Sequence, residues 1–542
     1  MQQQHIDLDG KSLTLDQIRI SQHNNAEFAL SHPINTHEFF NKSIASLKVN
    51  LAHGAKIYGV NTLFGGLANE SAIDTKHLQK ELLLSHLAGS GDLLADEDVT
   101  LAMIIRANSL CHGVSGIRHE LVQRLISFAN ANIVPMVHKN GSIGASGDLI
   151  PLASIAGAIT GISEHFKLKH NGEFLPATSV LEKLGLNKIA LEEKEGLALI
   201  NGTACLSAIA ANNCIKFTSL FNLYFRLQVA MCEILEADMR PFQSFVHQHR
   251  PLPGQIWVAE QLRYLLEDAH LTRGIAKVDQ DFDNDELIQD RYSIRCMPQF
   301  TGAIFEDIIS IFKTIEIEIN SATDNPLIDH ENQSYFHGGN FLGQHVSMAM
   351  DKMRVNIALL AKHNEAQIAT LVEPAFSKGL PPCLVDIESK GMSVGIKPLQ
   401  IVSNSLTPLL ERNAAPLSVH FPIHAEQFNQ NLNSQGFGAS NLTRDSLHLF
   451  SQQLSCMWLS TVQALMVKAS QNNEDMSALY SKSTQSVIQE CFRIINWKEQ
   501  HNTLFNIHTS GNASVWLNTL AAEMTKGGAF FENGPLKLST SF

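Results

Sequence analysis

Charge is scarce in this sequence. Asp, Glu, Lys and Arg make up 17% of 542 residues, against roughly 25% in an average soluble chain. So little charge leaves a large solvated surface thinly dressed, which predicts extensive subunit interfaces, since interface cores are charge-depleted. The charge present is acidic, 40 Lys and Arg against 53 Asp and Glu for a net −13, so the basic footprint of a nucleic-acid binder is missing. Eight cysteines (Cys111, Cys205, Cys214, Cys232, Cys296, Cys383, Cys456, Cys491) include no CxxC pair and no metal-ligand spacing. They read as reduced, mostly buried thiols. No stretch approaches the roughly 20 apolar residues that span a bilayer; the most apolar, LIPLASIAGAITGI, is broken by Pro151 and two hydroxyl residues. The opening MQQQHIDLDG lacks the basic start and apolar core of a signal peptide, so a soluble, cytoplasmic protein is expected. There is no GxxxxGK[ST] phosphate loop and no HExxH among 24 histidines, and the glycines from Gly141 to Gly147 do not follow a strand as a dinucleotide fingerprint does. The densest histidine cluster, His247 to His249, reads as a solvated helix end, and no metal site is expected.

What is present is helical periodicity over a chain long enough to bury a large core unaided. Ile308, Phe312, Ile315 and Ile319 recur at steps of three or four until Asp324-Asn325-Pro326 stops the run. Gln344 to Val372 and Arg444 to Ala469 repeat the pattern, the second apolar almost all round, as in the centre of a bundle. Before about residue 210, glycine and asparagine clusters punctuate shorter helical segments, the texture of loops that carry chemistry. The expected architecture is mainly α: an N-terminal region over 1–210 bearing the catalytic loops, a long central helical bundle over 211–471, and a tail over 472–542 without an assigned role.

The segment Gly141-Ser-Ile-Gly-Ala-Ser-Gly-Asp-Leu-Ile-Pro151 reads locally as a turn and helix start, with an Asp cap and Pro in the first turn. Yet GASGDLIPLA resembles the signature of the histidine and aromatic amino-acid ammonia-lyase family. The resemblance continues in YGVNTLFGG (Tyr58 to Gly66), RANSLCHGVSGIR (Arg106 to Arg118), KEGLALINGT (Lys194 to Thr203), RPLPGQ (Arg250 to Gln255), QDRYSIRCMPQ (Gln289 to Gln299), TDNPLID (Thr323 to Asp329) and HGGNF (His337 to Phe341). The blocks keep family order and cover the chain from about Thr14 to Ala464.

That resemblance implies an ammonia-lyase-like fold, a homotetramer with active sites each built from three chains, and the electrophile 4-methylideneimidazol-5-one (MIO), formed autocatalytically from Ala145-Ser146-Gly147 with no external cofactor. The chemistry suits these residue types: the residue-147 nitrogen must reach the residue-145 carbonyl, an approach a Cβ would hinder, and a helix opening at Asp148 would put its positive end beside the electrophile. The resemblance makes Tyr58 the base, although a phenol near pKa ~10 needs strong depression, which a cationic or dipole-rich pocket could supply. Arg295 becomes the bidentate carboxylate clamp. Tyr292, Asn201 and Gln289 line the site, and Phe341 forms part of its wall.

Two positions bear on substrate. His86, in Ser85-His86-Leu87, stands where histidine lyases and some tyrosine lyases have His and where phenylalanine-specific relatives carry Phe-Leu; it could hydrogen-bond a phenol or an imidazole. Asn429-Gln430 resembles tyrosine and phenylalanine enzymes, whereas histidine-specific members have Glu at the Gln430 position. Together they favour L-tyrosine over L-histidine, with L-phenylalanine third; the alternatives are a histidine lyase forming urocanate and an aromatic 2,3-aminomutase. Leu63 and Asn431 depart from the family's usual Gly and Asp.

Overall fold

The computed structural model describes residues 5–24, 26–273, 289–498 and 502–540. The protein is mainly α, with twenty α-helices and four two-stranded ribbons among the described residues. Its helix boundaries extend the sequence pattern. The helix carrying Ile308, Phe312 and Ile315 starts further upstream than their period shows, at Met297, tolerating Pro298 in its first turn, and ends at Ile319. Gln344–Val372 is one helix, and Arg444 to Ala469 is the middle of Gly436–Asn472. No described helix is long and apolar enough to cross a membrane.

Two compact units emerge, each drawn from separated stretches: Met1–Asn213, Ile311–Asp351 and Pro416–Arg444 in the first; Cys214–Ser310, Lys352–Ala415 and Asp445–Phe542 in the second. The sequential division at 210 and 471 follows texture along the chain, whereas these units follow contacts.

In the first unit the helix Asp96–Leu110 is buried on nearly every side and packs against His119–Asn130, and Leu149–Thr160 is buried from Pro151 onward. Around them, short ribbons tie loops together. Ser90–Leu93 pairs antiparallel with His138–Asn140, which runs straight into Gly141, and Leu327–Asp329 pairs with Ser334–Phe336, which runs into His337. A ribbon of this size is marginal alone, and the second is anchored by an apolar cluster in which Ile328 meets Leu47, Ile57 and Val60. That cluster fixes both flanks of Tyr58.

The second unit is helical. Trp458 is fully buried and its Nε1 donates to the Val487 carbonyl at 3.1 Å. The described residues beyond 472, weakly patterned in sequence, are folded onto the rest of this unit. Lys482–Ile495 buries Val487, Ile488, Cys491 and Ile495 along one face. Asn222 donates to the Phe531 and Leu536 carbonyls at 2.8 and 3.0 Å, and Glu233 accepts from the Ser481 amide at 2.8 Å. One local expectation is corrected here: His247 is buried, not solvated, because its ring bridges the Pro241 carbonyl (3.0 Å) and the Gln255 amide (2.9 Å). Six of the eight thiols are buried. Among the described residues no cluster of His, Cys, Asp or Glu could hold a metal ion.

Candidate active site

The chain bends sharply through Gly144-Ala145-Ser146 and then forms a parallel bridge between Gly147 and Gly202, sealed by the Asp148 amide donating to the Gly202 carbonyl at 2.7 Å. Gly147 sits at φ +71°, and a Cβ there would run into the Gly202 backbone, so only glycine fits. Ala145 and Gly147 are buried while Ser146 is half-buried. The bend is held from outside by Ser434, whose amide and hydroxyl both donate to the Gly144 carbonyl, at 3.2 and 2.8 Å. The helix Leu149–Thr160 does open at Asp148, but the carboxylate does not cap it. It accepts instead from Ser142 Oγ (2.8 Å) and from the Leu206 amide (2.7 Å) in the first turn of Ala204–Ile234, tying two helix N-termini together. Burial pushes this carboxyl up to about 7 against the pull of the Leu206, Ser142 and Cys205 donors.

Two predicted site residues converge on Ser146. Asn201 Nδ2 donates to its carbonyl and Gln430 Nε2 to its hydroxyl, both at 3.0 Å. Asn201 Oδ1 is buried with no hydrogen-bond partner, an acceptor available to something else. Asn201 follows the six-residue helix Glu195–Ile200, too short to hold itself. It is clamped by buried charge: Lys194 Nζ lies 2.5 Å from Asp324, Glu195 takes Arg118 bidentately at 2.7 and 2.6 Å, and Arg106 Nε donates to the Ala198 carbonyl at 3.0 Å. Burial pushes the Lys194 ammonium down while Asp324 pushes it back up. Arg106 and Lys194 stand in the family-like blocks without a role evident from sequence, and Asp324 reads there only as part of a helix stop. Arg106 alone carried a signal, a charge inside the apolar run LAMIIRANSL; Lys194 stands among acidic residues and Asp324 in a polar turn, so nothing local marked them as buried.

Tyr58 lies on a loop whose residue Leu63, the departure noted above, donates its amide to the Glu70 carbonyl at 3.0 Å. The Tyr58 amide donates to His337 Nε2 at 3.2 Å, and its Oη accepts from the Gly65 amide at 3.0 Å. Burial raises the phenol and the nearby Glu426 carboxylate raises it further, with only the Gly65 N–H opposing. The groups facing Tyr58 within this chain therefore push it away from the depression a base needs. Glu426 was missed by sequence reasoning. It begins three successive non-glycine residues at positive φ (Glu426 48°, Gln427 55°, Phe428 66°), a strained turn that lays its carboxylate against Gly65. A side chain at Gly65 would collide with it.

The remaining first-unit candidates lie on the surrounding elements. His86 ends the helix Thr75–Ser85 with Nδ1 donating to the Leu82 carbonyl at 2.8 Å. Phe341 is half-buried on a loop fastened by the Gly338 amide to Asn325 Oδ1 at 2.8 Å, and Asn429 is exposed beside Gln430. Gln289, Tyr292 and Arg295 belong to the second unit. Gln289 is exposed, Tyr292 is 72% exposed at the start of the four-residue helix Tyr292–Arg295, and the Arg295 guanidinium lies 4.6 Å over its ring.

Residues 13–491 match the aromatic amino acid lyase family. A phenylalanine ammonia-lyase of Nostoc punctiforme is 46% identical over 411 residues, covering 76% of this chain and 72% of that protein. An aromatic ammonia-lyase of Loktanella atrilutea is 39% identical over 469 residues, 86% of this chain and 85% of that protein. Among solved structures, the phenylalanine aminomutase of Pantoea agglomerans has a TM-score of 0.85 at 28% identity, covering 96% of this chain and 99% of that one. With a match over most of its length and relatives this similar, the chain belongs to the aromatic amino acid lyase family, a family of carbon–nitrogen lyases.

Proposed function

We propose that this protein is an aromatic amino acid ammonia-lyase that removes ammonia from L-tyrosine without oxidation, giving the α,β-unsaturated acid. The observation that carries the reading is the bent Ala145-Ser146-Gly147 segment, closed at Gly147 to every residue but glycine and gripped at Ser146 by Asn201 and Gln430. These residues fit the MIO group: a compact backbone with a half-exposed serine hydroxyl between two buried neighbours suits ring closure and dehydration, and the orphaned Asn201 Oδ1 offers an acceptor beside it. When formed, that group supplies an electrophile for the substrate's amine.

The chain's own residues do the rest. Tyr58 Oη takes the proton from the carbon next to the substrate ring. Arg295 holds the substrate carboxylate bidentately, with Tyr292 and Gln289 beside it. The exposure of Tyr292 and Gln289 supports these three working in another copy's site, where Arg295 would also bring Tyr58 the positive charge its own surroundings lack. We place the enzyme in the cytoplasm as a homotetramer. For the substrate, His86 is the guide. With Nδ1–H committed to the Leu82 carbonyl, a neutral ring leaves Nε2 as an acceptor for a phenol O–H. Gln430, an amide where histidine-specific relatives carry Glu, points the same way. L-Phenylalanine is the second reading, favoured by the relative from Nostoc punctiforme.

The test is intact mass followed by separate incubation with tyrosine, phenylalanine and histidine. A mass short by two waters and coumarate as the main product are expected. An unprocessed mass overturns catalysis altogether; cinnamate or urocanate as the main product reassigns the substrate; β-tyrosine without coumarate makes the protein an aminomutase. Gln430→Glu should raise histidine turnover relative to tyrosine.

A further inference from the structure

The base and the electrophile-bearing segment lie on separate elements and must be kept in register. We propose that Gln79 is a positioning residue for the reaction, a fully buried amide that locks the loop of Tyr58 to the helix delivering Asn201. The proposal rests on Tyr58 acting as the base.

Gln79 lies on the helix Thr75–Ser85 with 0% exposure. Its Nε2 donates to the Gly59 carbonyl at 2.9 Å, immediately after Tyr58, and its Oε1 accepts from the Leu197 amide at 3.1 Å. Leu197 is the third residue of Glu195–Ile200, so its N–H has no partner within that helix, and Lys194 at the cap supplies no side-chain hydrogen bond. Gln79 satisfies that donor from outside. One helical turn later Asn201 reaches the Ser146 carbonyl. A continuous path thus runs from the base's neighbour, through one side chain and one turn of helix, to the Ser146 backbone.

The chemistry of the side chain is specific. A primary amide presents a donor and an acceptor on adjacent atoms, and asparagine is a methylene too short to span the same gap. Gly196 packs against the Gln79 backbone carbonyl, fixing the helix-to-helix approach. His86 lies seven residues on, on the same helix face. One helix therefore carries both the ring-recognition group and the clamp. Because proton transfer depends on sub-ångström placement, loss of the clamp should weaken turnover more than binding.

The test uses the full-length enzyme with Gln79→Met, Gln79→Glu and Tyr58→Phe, each checked by intact mass for the loss of two waters. For Gln79→Met we expect kcat per matured site to fall at least tenfold, KM to move less than threefold, and the isotope effect with β-deuterated substrate to rise. Gln79→Glu adds a pH signature: a protonated carboxyl can still donate to the Gly59 carbonyl, an ionised one cannot, so its kcat relative to the parent should fall as pH rises. This second variant decides the question if Gln79→Met does not fold. Matured variants with kcat within twofold of the parent at every pH overturn the proposal, even if they melt earlier, because that pattern marks a purely structural residue. Tyr58→Phe separates the two failures. If it retains turnover, the assignment of the base is wrong, and the role of Gln79 falls with it.

Discussion

Gly147 shows how far one residue can be read. Its need to lack a Cβ followed from the ring-closure chemistry, and the structure adds the reason in space, the Gly202 backbone directly in the way at φ +71°. Replacing Gly147 with Ala combines a left-handed penalty of roughly 1–2 kcal/mol with an overpacking cost of about 1–3 kcal/mol. Urea unfolding should show the sum as a lowered midpoint, and intact mass should show both waters retained. A variant of parental stability that still dehydrates would mean the bridge to Gly202 is not needed. Asn201 and Gln430 were legible only through the family blocks, since an Asn-Gly and an Asn-Gln carry little signal alone. Glu426 was illegible because what brings it to Gly65 is a left-handed run with no glycine to announce it.

At the scale of elements, the short helices need outside support. Tyr292–Arg295 is four residues long, and its Ser293 carbonyl is held by His363 Nε2 at 2.7 Å and Gln367 Nε2 at 3.2 Å. A carbonyl can only accept, so Nε2 carries the proton and Nδ1 takes the Tyr224 hydroxyl at 2.6 Å. This requires a neutral ring, and burial lowers its pKa from 6.5 to about 4. Between those values the unfolded chain binds the extra proton, so the contribution is complete above 6.5 and is lost as pH falls toward 4, about 3 kcal/mol in all. Asp148, raised from 3.8 to about 7, has the opposite slope. The clean observable is therefore a difference: relative to the parent, His363→Gln should gain stability as pH falls from 6.5 to 4. Identical slopes for the two proteins would rule out His363 as the titrating pin. The long helices were legible from their apolar period, whereas His247 and His363 were not, because local sequence does not say whether a histidine is buried.

For the whole molecule, the small share of charge acquires a counterpart in exposed apolar side chains: Val419, Ile423, Phe428 and Leu432 in the first unit, Ile387, Met392 and Ile401 in the second. Such surface suits burial between copies. If active sites are shared, a Tyr58→Phe chain and an Arg295→Ala chain, each inactive alone, should recover activity when co-expressed. Random assembly puts a good Tyr58 and a good Arg295 together in about a quarter of the sites. Co-expressed chains as inactive as either parent would show that each site uses one chain only.

Residue pattern alone carried the helical class, the existence of the long helices though not their first two turns at Met297 and Gly436, and, through its ordered blocks, the family and most of the candidate residues. These are properties of local period and of residue type, which the chain carries wherever it goes. Tertiary structure alone decided that Asp148 joins two helices, that buried Arg106, Lys194 and Asp324 clamp the approach to Asn201, that Glu426 faces Tyr58, and that Gln79 links loop to helix. Each of these depends on residues brought together from distant parts of the sequence, where a hydrogen bond or a desolvated charge exists only once the chain has closed around it.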